Sequence, residues 1–413
     1  MEQVLAQIEA GNLHEALVRL WVVAGRRTAD DLVLNFWERE SEPARFLRYS
    51  RQFHVLLTAG SAVGPVHAAE EPLALIEALD VFLAQERAPR RQRSAPCDID
   101  GQEFWLVRTP LRRMQAPAAR QANNRASWFR HHHVIPALVG AFGESISVHV
   151  RAPDRATHRR LAALRERKSA RVYLAHFVDG VTLNRVSSAA KKFFVSGLSD
   201  AVRRTQSITE HLIAAADARA DFVIFPELTV TSEQREDIRR WYRKAIDAGG
   251  PTPIFIVAGS FHEVVAGRHV NRAQMLGAHG EVLTHIKVRP YGLAGAEAED
   301  ISSGDRIELL ATPIGIISMP ICKDFNDVAG IDWTPMGPDW CLVPSMGDET
   351  NVKAHTGQAE RLWKVLFRTV SLVGNQEYDG GPIPGFAYDG SIQPAAAGGG
   401  VVSISMQSIH LLT

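Results

Sequence analysis

From Arg171 onward the chain alternates short, unbroken apolar runs with amphipathic stretches, and three of the runs end beside a charged or nucleophilic residue. Runs such as "RVYLAHF", "DFVIFPE", "PIFIVAGSFHEV" and "DWCLVPSM" lack the polar alternation of a half-exposed strand. As strands they must therefore be covered on both faces. The long segments "LSDAVRRTQSITEHLIAAADARA" and "AHTGQAERLWKVLFRTVSLV" carry the helical spacing that supplies such cover. A turn at Gly280 splits "HVNRAQMLGAHGEVLTHIKV" into a pair of strands, and "IELLATPIGIISMPIC" reads as two more. Strand and helix in turn predict an α/β class.

The run-ending residues carry the chemistry. Glu227 closes "DFVIFPE", Lys287 follows the strand of "VLTHIKV", and Cys322 follows the apolar run of "GIISMPIC". Ligand chemistry in open α/β sheets gathers at the carboxyl ends of strands. Each residue alone has an ordinary reading: a strand-end carboxylate, a solvated lysine, a small buried hydrophobe. Together they form a set. A thiol attacks an amide or nitrile carbon only as thiolate, so it needs a base. A carboxylate takes the proton and later returns it to the leaving amine. An ammonium, with a backbone N–H just after the nucleophile, stabilises the developing oxyanion. Cys341, inside "DWCLVPSM", reads as core, and Cys97 beside a turn is uninformative.

The order Glu, Lys, Cys in these flanks resembles the nitrilase, or carbon–nitrogen hydrolase, superfamily. Lys287 lies 60 residues past Glu227, and Cys322 lies 35 past Lys287. The likeness runs over roughly residues 171–402, and three signatures in order are far more specific than any one. It implies a four-layer αββα sandwich and cysteine-dependent hydrolysis of a non-peptide C–N bond through a thioester. Glu227, Lys287 and Cys322 would be the catalytic triad, with the Lys323 N–H at the oxyanion and Asp324 and Asn326 capping or orienting the turn. A second glutamate is expected shortly after the lysine: Glu297 first, with Glu299 as fallback, because "YGLAGAEAED" departs from the usual pattern. Lys323-Asp324 stands where nitrile-cleaving members carry Trp-Glu, which favours amide or carbamoyl substrates. No metal or organic cofactor is implied, and a homo-oligomer is. Acyl transfer to an amine would use the same trio.

The first 170 residues read differently. Met1 to about Glu86 is mainly helical by spacing, in "HEALVRLWVVA" and "EEPLALIEALDVFLAQE". Residues 87–170 read as a basic linker and a small α+β segment, with an Asp-Gly hairpin in "CDIDGQEFWLV", a strand in "ESISVHV" and a basic connecting helix from Arg155. Residues 171–413 form the hydrolase-like domain. From Arg87 to Arg171 there are 18 Lys or Arg against 6 Asp or Glu, although the whole chain has zero formal charge. The stretch reads first as a solvated face or a patch toward the acidic remainder of the chain; with Phe104, Trp105, Trp128 and Phe129 among these charges, it is also a candidate contact for nucleic acid or a protein partner. That opens a second class of function: a non-catalytic, sensing module. His131, His132 and His133 point in different directions on any regular element, which disfavours a shared metal. Three cysteines, no apolar run of membrane-spanning length and no basic-then-apolar start predict a cytoplasmic protein.

Overall fold

A computed structural model of the chain describes residues 1–26, 43–65, 68, 71–85, 95–109, 131–141, 143–189, 191–292, 297–327, 330–366, 369–377 and 383–406. They fall into two compact units that divide mainly between Ala137 and Leu138. The expected boundaries after residues 86 and 170 do not coincide with this division.

The first unit holds helices α1 (Glu2–Glu9), α2 (Leu13–Arg26), α3 (Pro43–Thr58) and α4 (Pro72–Gln85). An antiparallel sheet follows, of β1 (Cys97–Ile99), β2 (Gln102–Arg108) and β3 (His132–Pro136). The expected hairpin is present: Asp100 and Gly101 both take positive φ between β1 and β2. One apolar cluster joins Leu17, Phe53, Leu75, Leu79, Ile99 and Val134. Helix α4 is buried nearly all round, and its Asp80 accepts from the His131 N–H at 3.0 Å and pairs with His132 Nδ1 at 2.8 Å.

The second unit opens with β4 (Leu138–Ala141), β5 (Glu144–Arg151), α5 (Arg155–Arg167) and β6 (Ser169–Leu174). The first three were expected to lie outside the α/β domain, yet β5 pairs in parallel with β14 (Arg306–Thr312), matching Val148 to Ile307. A hairpin of β7 (Leu183–Ala189) and β8 (Lys192–Leu198) comes next, then α6 (Ala201–Asp217), β9 (Phe222–Ile224) and α7 (Ser232–Asp247). Three long antiparallel strands follow: β10 (Phe255–Val265), β11 (Arg268–Gly277) and β12 (Gly280–Ile286). The short β13 (Ala298–Glu299) pairs in parallel with β8. The remainder is β15 (Gly315–Ser318), α8 (Lys323–Asn326), β16 (Trp340–Met346), α9 (Glu349–Val365), β17 (Val370–Gln376), β18 (Phe386–Tyr388), β19 (Ile392–Pro394) and β20 (Gly400–Ser405).

Two large sheets result, six-stranded in the order β12-β11-β10-β9-β6-β20 and eight-stranded in the order β19-β18-β17-β16-β15-β14-β5-β4. Strand β9 shows why the apolar runs are unbroken. Phe222 and Ile224 join a core with Trp340, Leu342 and Leu372 of the other sheet. Val223 and Phe225 face the other way, into a second core with Ile208 and Leu212 of α6 and Ile238 of α7. A strand covered on both faces stays apolar except where a polar side chain finds a buried partner. Among the described residues no helix is long and apolar enough to cross a membrane.

Candidate active site

Three strand ends bring Glu227, Lys287 and Cys322 to the wall of one cavity of about 400 Å³. Glu227 lies just past β9, where its own N–H reaches the Ser345 carbonyl at 3.2 Å and Leu228 takes φ 55°. The register of β10 shifts between Val257 and Ser260 so that Ser260 pairs beside Glu227. Gly259 makes the shift feasible: its φ is 59°, and a Cβ there would run into the Pro226 carbonyl. Lys287 follows β12 and is fixed by its N–H on the Asn271 carbonyl at 2.8 Å.

Cys322 sits four residues past β15 with φ 43° and ψ −103°, a conformation a non-glycine residue adopts only under constraint. The constraints are visible. Its N–H donates to the Pro344 carbonyl at 3.0 Å, and its carbonyl accepts from the Phe325 N–H at 2.9 Å as α8 begins. The turn aims the sulfur into the cavity beside β16, with the Met346 carbonyl at 3.8 Å and the Asn351 amide Nδ2 at 3.5 Å.

The polar groups form one buried network. Lys287 Nζ lies 2.8 Å from Glu227 Oε1 and 2.8 Å from Glu299 Oε2. Asn271 Nδ2 donates to Glu227 Oε1 at 2.9 Å, and the Met346 N–H donates to Glu227 Oε2 at 3.2 Å. Glu299 also accepts from the Tyr291 N–H at 2.5 Å and meets His262 Nε2 at 3.0 Å. All three charged side chains are at most 3% exposed.

Burial and charge set the proton inventory. Burial pushes Glu227 above the ordinary carboxylate range; Lys287 opposes this and Glu299 adds to it. For Glu299 burial acts in the same upward sense, but Lys287 and His262 outweigh it and hold its carboxyl well below that range. Burial would neutralise Lys287, yet the two carboxylates overcome it and keep the ammonium charged. The Cys322 thiol is pushed up to about 12 by burial and then by Glu227, with Lys287 pulling the other way. At neutral pH the resting site is thus a thiol facing a carboxylate whose proton affinity is raised.

The other expected residues sort as follows. Glu299, not Glu297, is brought to Lys287: Glu297 lies before β13, exposed, and pairs with Arg185 at 3.4 Å. Asp324 does not cap α8. Its carboxylate accepts from the Val288 N–H at 3.1 Å, the Arg289 N–H at 2.7 Å and His285 Nε2 at 2.9 Å, so it clamps the chain on both sides of Lys287. Asn326 Nδ2 donates to Asn351 Oδ1 at 2.8 Å and thereby orients the amide that faces the Cys322 sulfur. Lys323 lines the cavity. Residues that sequence reasoning missed are His262, Asn271, Ser345, Asn351 and His355. Their signal was a polar side chain within or beside an apolar run, which a buried strand carries only when a partner is present. His355 is buried, accepts or donates at Ser345 Oγ over 2.8 Å, and is pushed down to about 3 by burial, so it stays neutral.

Comparison with known proteins found similarity to solved structures alone. No family model matches the sequence, and no curated protein matches it either. The NitFhit protein of C. elegans is similar over 59% of this chain and 62% of its own, less than two-thirds of that protein's length, at 14% identity and a TM-score of 0.41. A mutant of the Nesterenkonia AN1 amidase from the nitrilase superfamily aligns over 57% of this chain and 89% of its own, at 17% identity and a TM-score of 0.40. Saccharomyces cerevisiae Nit3, a member of branch 10 of that superfamily, aligns over 58% and 93%, at 14% and 0.40. The chain resembles nitrilase-superfamily structures. That likeness says nothing of substrate, and the chemistry rests on the positions of this chain's own residues.

Away from the site, Phe104 and Trp105 are buried on β2 and offer no stacking face to solvent. Trp128, Phe129 and much of the basic stretch lie outside the described residues.

Proposed function

We propose that the second unit is a carbon–nitrogen hydrolase of the nitrilase type that cleaves small amides or carbamoyl compounds through a thioester on Cys322. One observation carries the reading: a thiol on a strained turn shares a cavity with a buried carboxylate and a buried ammonium from two other strands. The two apolar cores, one between the large sheets and one beneath α6 and α7, support a four-layer αββα sandwich as its frame.

The mechanism follows from the proton inventory. Cys322 attacks the carbonyl carbon as its proton passes to Glu227, whose raised proton affinity suits it to that task. The C–S bond forms as the carbonyl π pair moves to oxygen, where the Lys287 ammonium and the Lys323 N–H stabilise the oxyanion. Glu227 returns the proton to the departing nitrogen and the C–N bond breaks, leaving a thioester and ammonia or an amine. Water, deprotonated by Glu227, then releases the acid and restores the thiol. Glu299 balances the Lys287 charge throughout, which leaves Glu227 free to gain and lose the proton.

The test is ammonia release from a panel of small amides and carbamoyl compounds. The reading expects turnover with at least one of them, lost in Cys322→Ala. Silence across the panel, with the protein folded, would sink it.

A further inference from the structure

Glu299 is held from behind by His262, a residue the mechanism above does not use. Strands β10 and β11 pair His262 directly with Asn271, and the Asn271 carbonyl in turn fixes Lys287, so the sheet register alone lines up all three. The imidazole has a fixed tautomer. Its Nδ1 accepts the Val195 N–H of β8 at 2.9 Å, so the proton must sit on Nε2, which faces Glu299 Oε1 at 3.0 Å. The ring is buried, with the Phe193 and Phe194 rings of β8 at 6.2 and 5.2 Å. Phe193 also lines the cavity that contains Cys322.

We infer that His262 is a positioning residue: its Nε2–H fixes the Glu299 carboxylate against Lys287, and its Nδ1 ties that carboxylate to β8, a wall of the cavity. The inference rests on the hydrolase reading of the same site. Its physical content is a division of labour between two carboxylates that share one ammonium. Glu299 receives Lys287, the Tyr291 N–H and the His262 N–H, so it stays charged. Glu227 receives Lys287, Asn271 Nδ2 and the Met346 N–H, and is the one left to carry the mobile proton. Without the His262 donor, Glu299 keeps its charge but loses the contact that fixes its place, and Lys287, which bridges it to Glu227, shifts with it. The titratable group packed directly on the ring is Glu299 from β13; Lys287 lies beyond it, and His269 of β11 stacks on the far side of Phe194.

The experiment measures the rate of Cys322 alkylation by chloroacetamide across pH, by intact mass, on the full chain. Alkylation forms a C–S bond and expels chloride while the thiol proton passes to Glu227. His262→Gln and His262→Met have side chains of similar length, but only Gln has an N–H for Glu299 and an oxygen for Val195. Loss of one hydrogen bond to a charged group predicts that Met slows labelling at neutral pH by about tenfold or more, while Gln stays within about threefold of the native rate. The deficit of the Met variant persists across the pH range, because Lys287 and the Tyr291 N–H keep Glu299 ionised in both variants. Equal rates and superimposable pH profiles for Gln and Met, with both folded, overturn the inference and leave His262 as packing. If the native protein is labelled, the hydrolase reading survives that outcome; if the native Cys322 does not react at all, that reading fails and this one with it.

Discussion

Cys322 and Cys341 are two buried thiols of one unit, and the proposed function assigns them opposite fates, the first as nucleophile and the second as core. Both are at most 3% exposed, and burial pushes both up to about 12. Neither burial nor acidity distinguishes them. Their neighbours do. Cys341 lies within β16, in register with Ser318 of β15, whose hydroxyl meets its sulfur at 3.3 Å. Its backbone is regular strand, and the carboxylate that bears on it, Asp339, is held by the Ile316 N–H at 2.8 Å. Cys322 sits where the chain has left β15, on a turn of positive φ, with an amide, a carboxylate and an ammonium around its sulfur. On the proposed reading, a nucleophile is made by the partners that receive its proton and its product charge, not by a lowered resting pKa.

That contrast can be broken most sharply by exchanging the fates of the two thiols. Cys322→Ala should lower turnover by about 10³-fold or more, since no other group supplies the covalent step. Cys341→Ala should leave kcat/KM within about twofold, and steady-state ammonia release compares the two directly. Equal losses would erase the distinction.

Next in size is the base. Glu227→Gln keeps the shape but cannot accept the thiol proton, and should cost about 10²–10⁴-fold in kcat. The native pH profile sharpens the point. Activity needs Glu227 ionised, and burial raises its pKa above 4.5, so activity should fall as pH drops through that raised value. Lys287 is held above 10.5 by its carboxylates, so no alkaline loss from its neutralisation is expected up to about pH 9. A profile whose acid limb lies below 4.5 would remove Glu227 from the role.

The smallest expected effect belongs to a residue that touches no reacting atom. Asp324 joins the Cys322 turn to the Lys287 segment through two N–H groups and His285, a clamp that Cys341 lacks. Asp324→Asn halves its capacity as an acceptor, and should reduce kcat by about tenfold while destabilising the fold by about 1–3 kcal/mol. Denaturant unfolding and steady-state kinetics measure the two losses separately; full activity in a destabilised protein would make Asp324 purely structural.

Much of this contrast was legible before any coordinates. Strands β9, β15 and β16 announce themselves as unbroken apolar runs, and β12 as the second arm of a pair turned at Gly280; ligand chemistry gathers at the ends of such strands. Glu227, Lys287 and Cys322 stood at such ends, and Cys341 stood inside one. The second glutamate was not legible in the same way. The segment from Tyr291 to Glu299 has no periodicity, and what selects Glu299 over Glu297 is the pairing of β13 with β8, two strands about a hundred residues apart. The attachment of the segment before Arg155 was not legible for a related reason. "ESISVHV" reads as a local strand, but only its parallel pairing with β14 attaches it to the α/β unit. Asp324 was expected to serve its own turn because caps are local rules, whereas its partners lie across the site.

The most direct test of the central claim is to quench the native protein during reaction with a turned-over amide and localise the acyl adduct by mass spectrometry of its peptides. The account predicts one acyl group, on Cys322, absent from Cys322→Ala and retained in Cys341→Ala. An adduct on Cys341 or Cys97, or turnover that proceeds with Cys322 unmodified and replaceable, would contradict it.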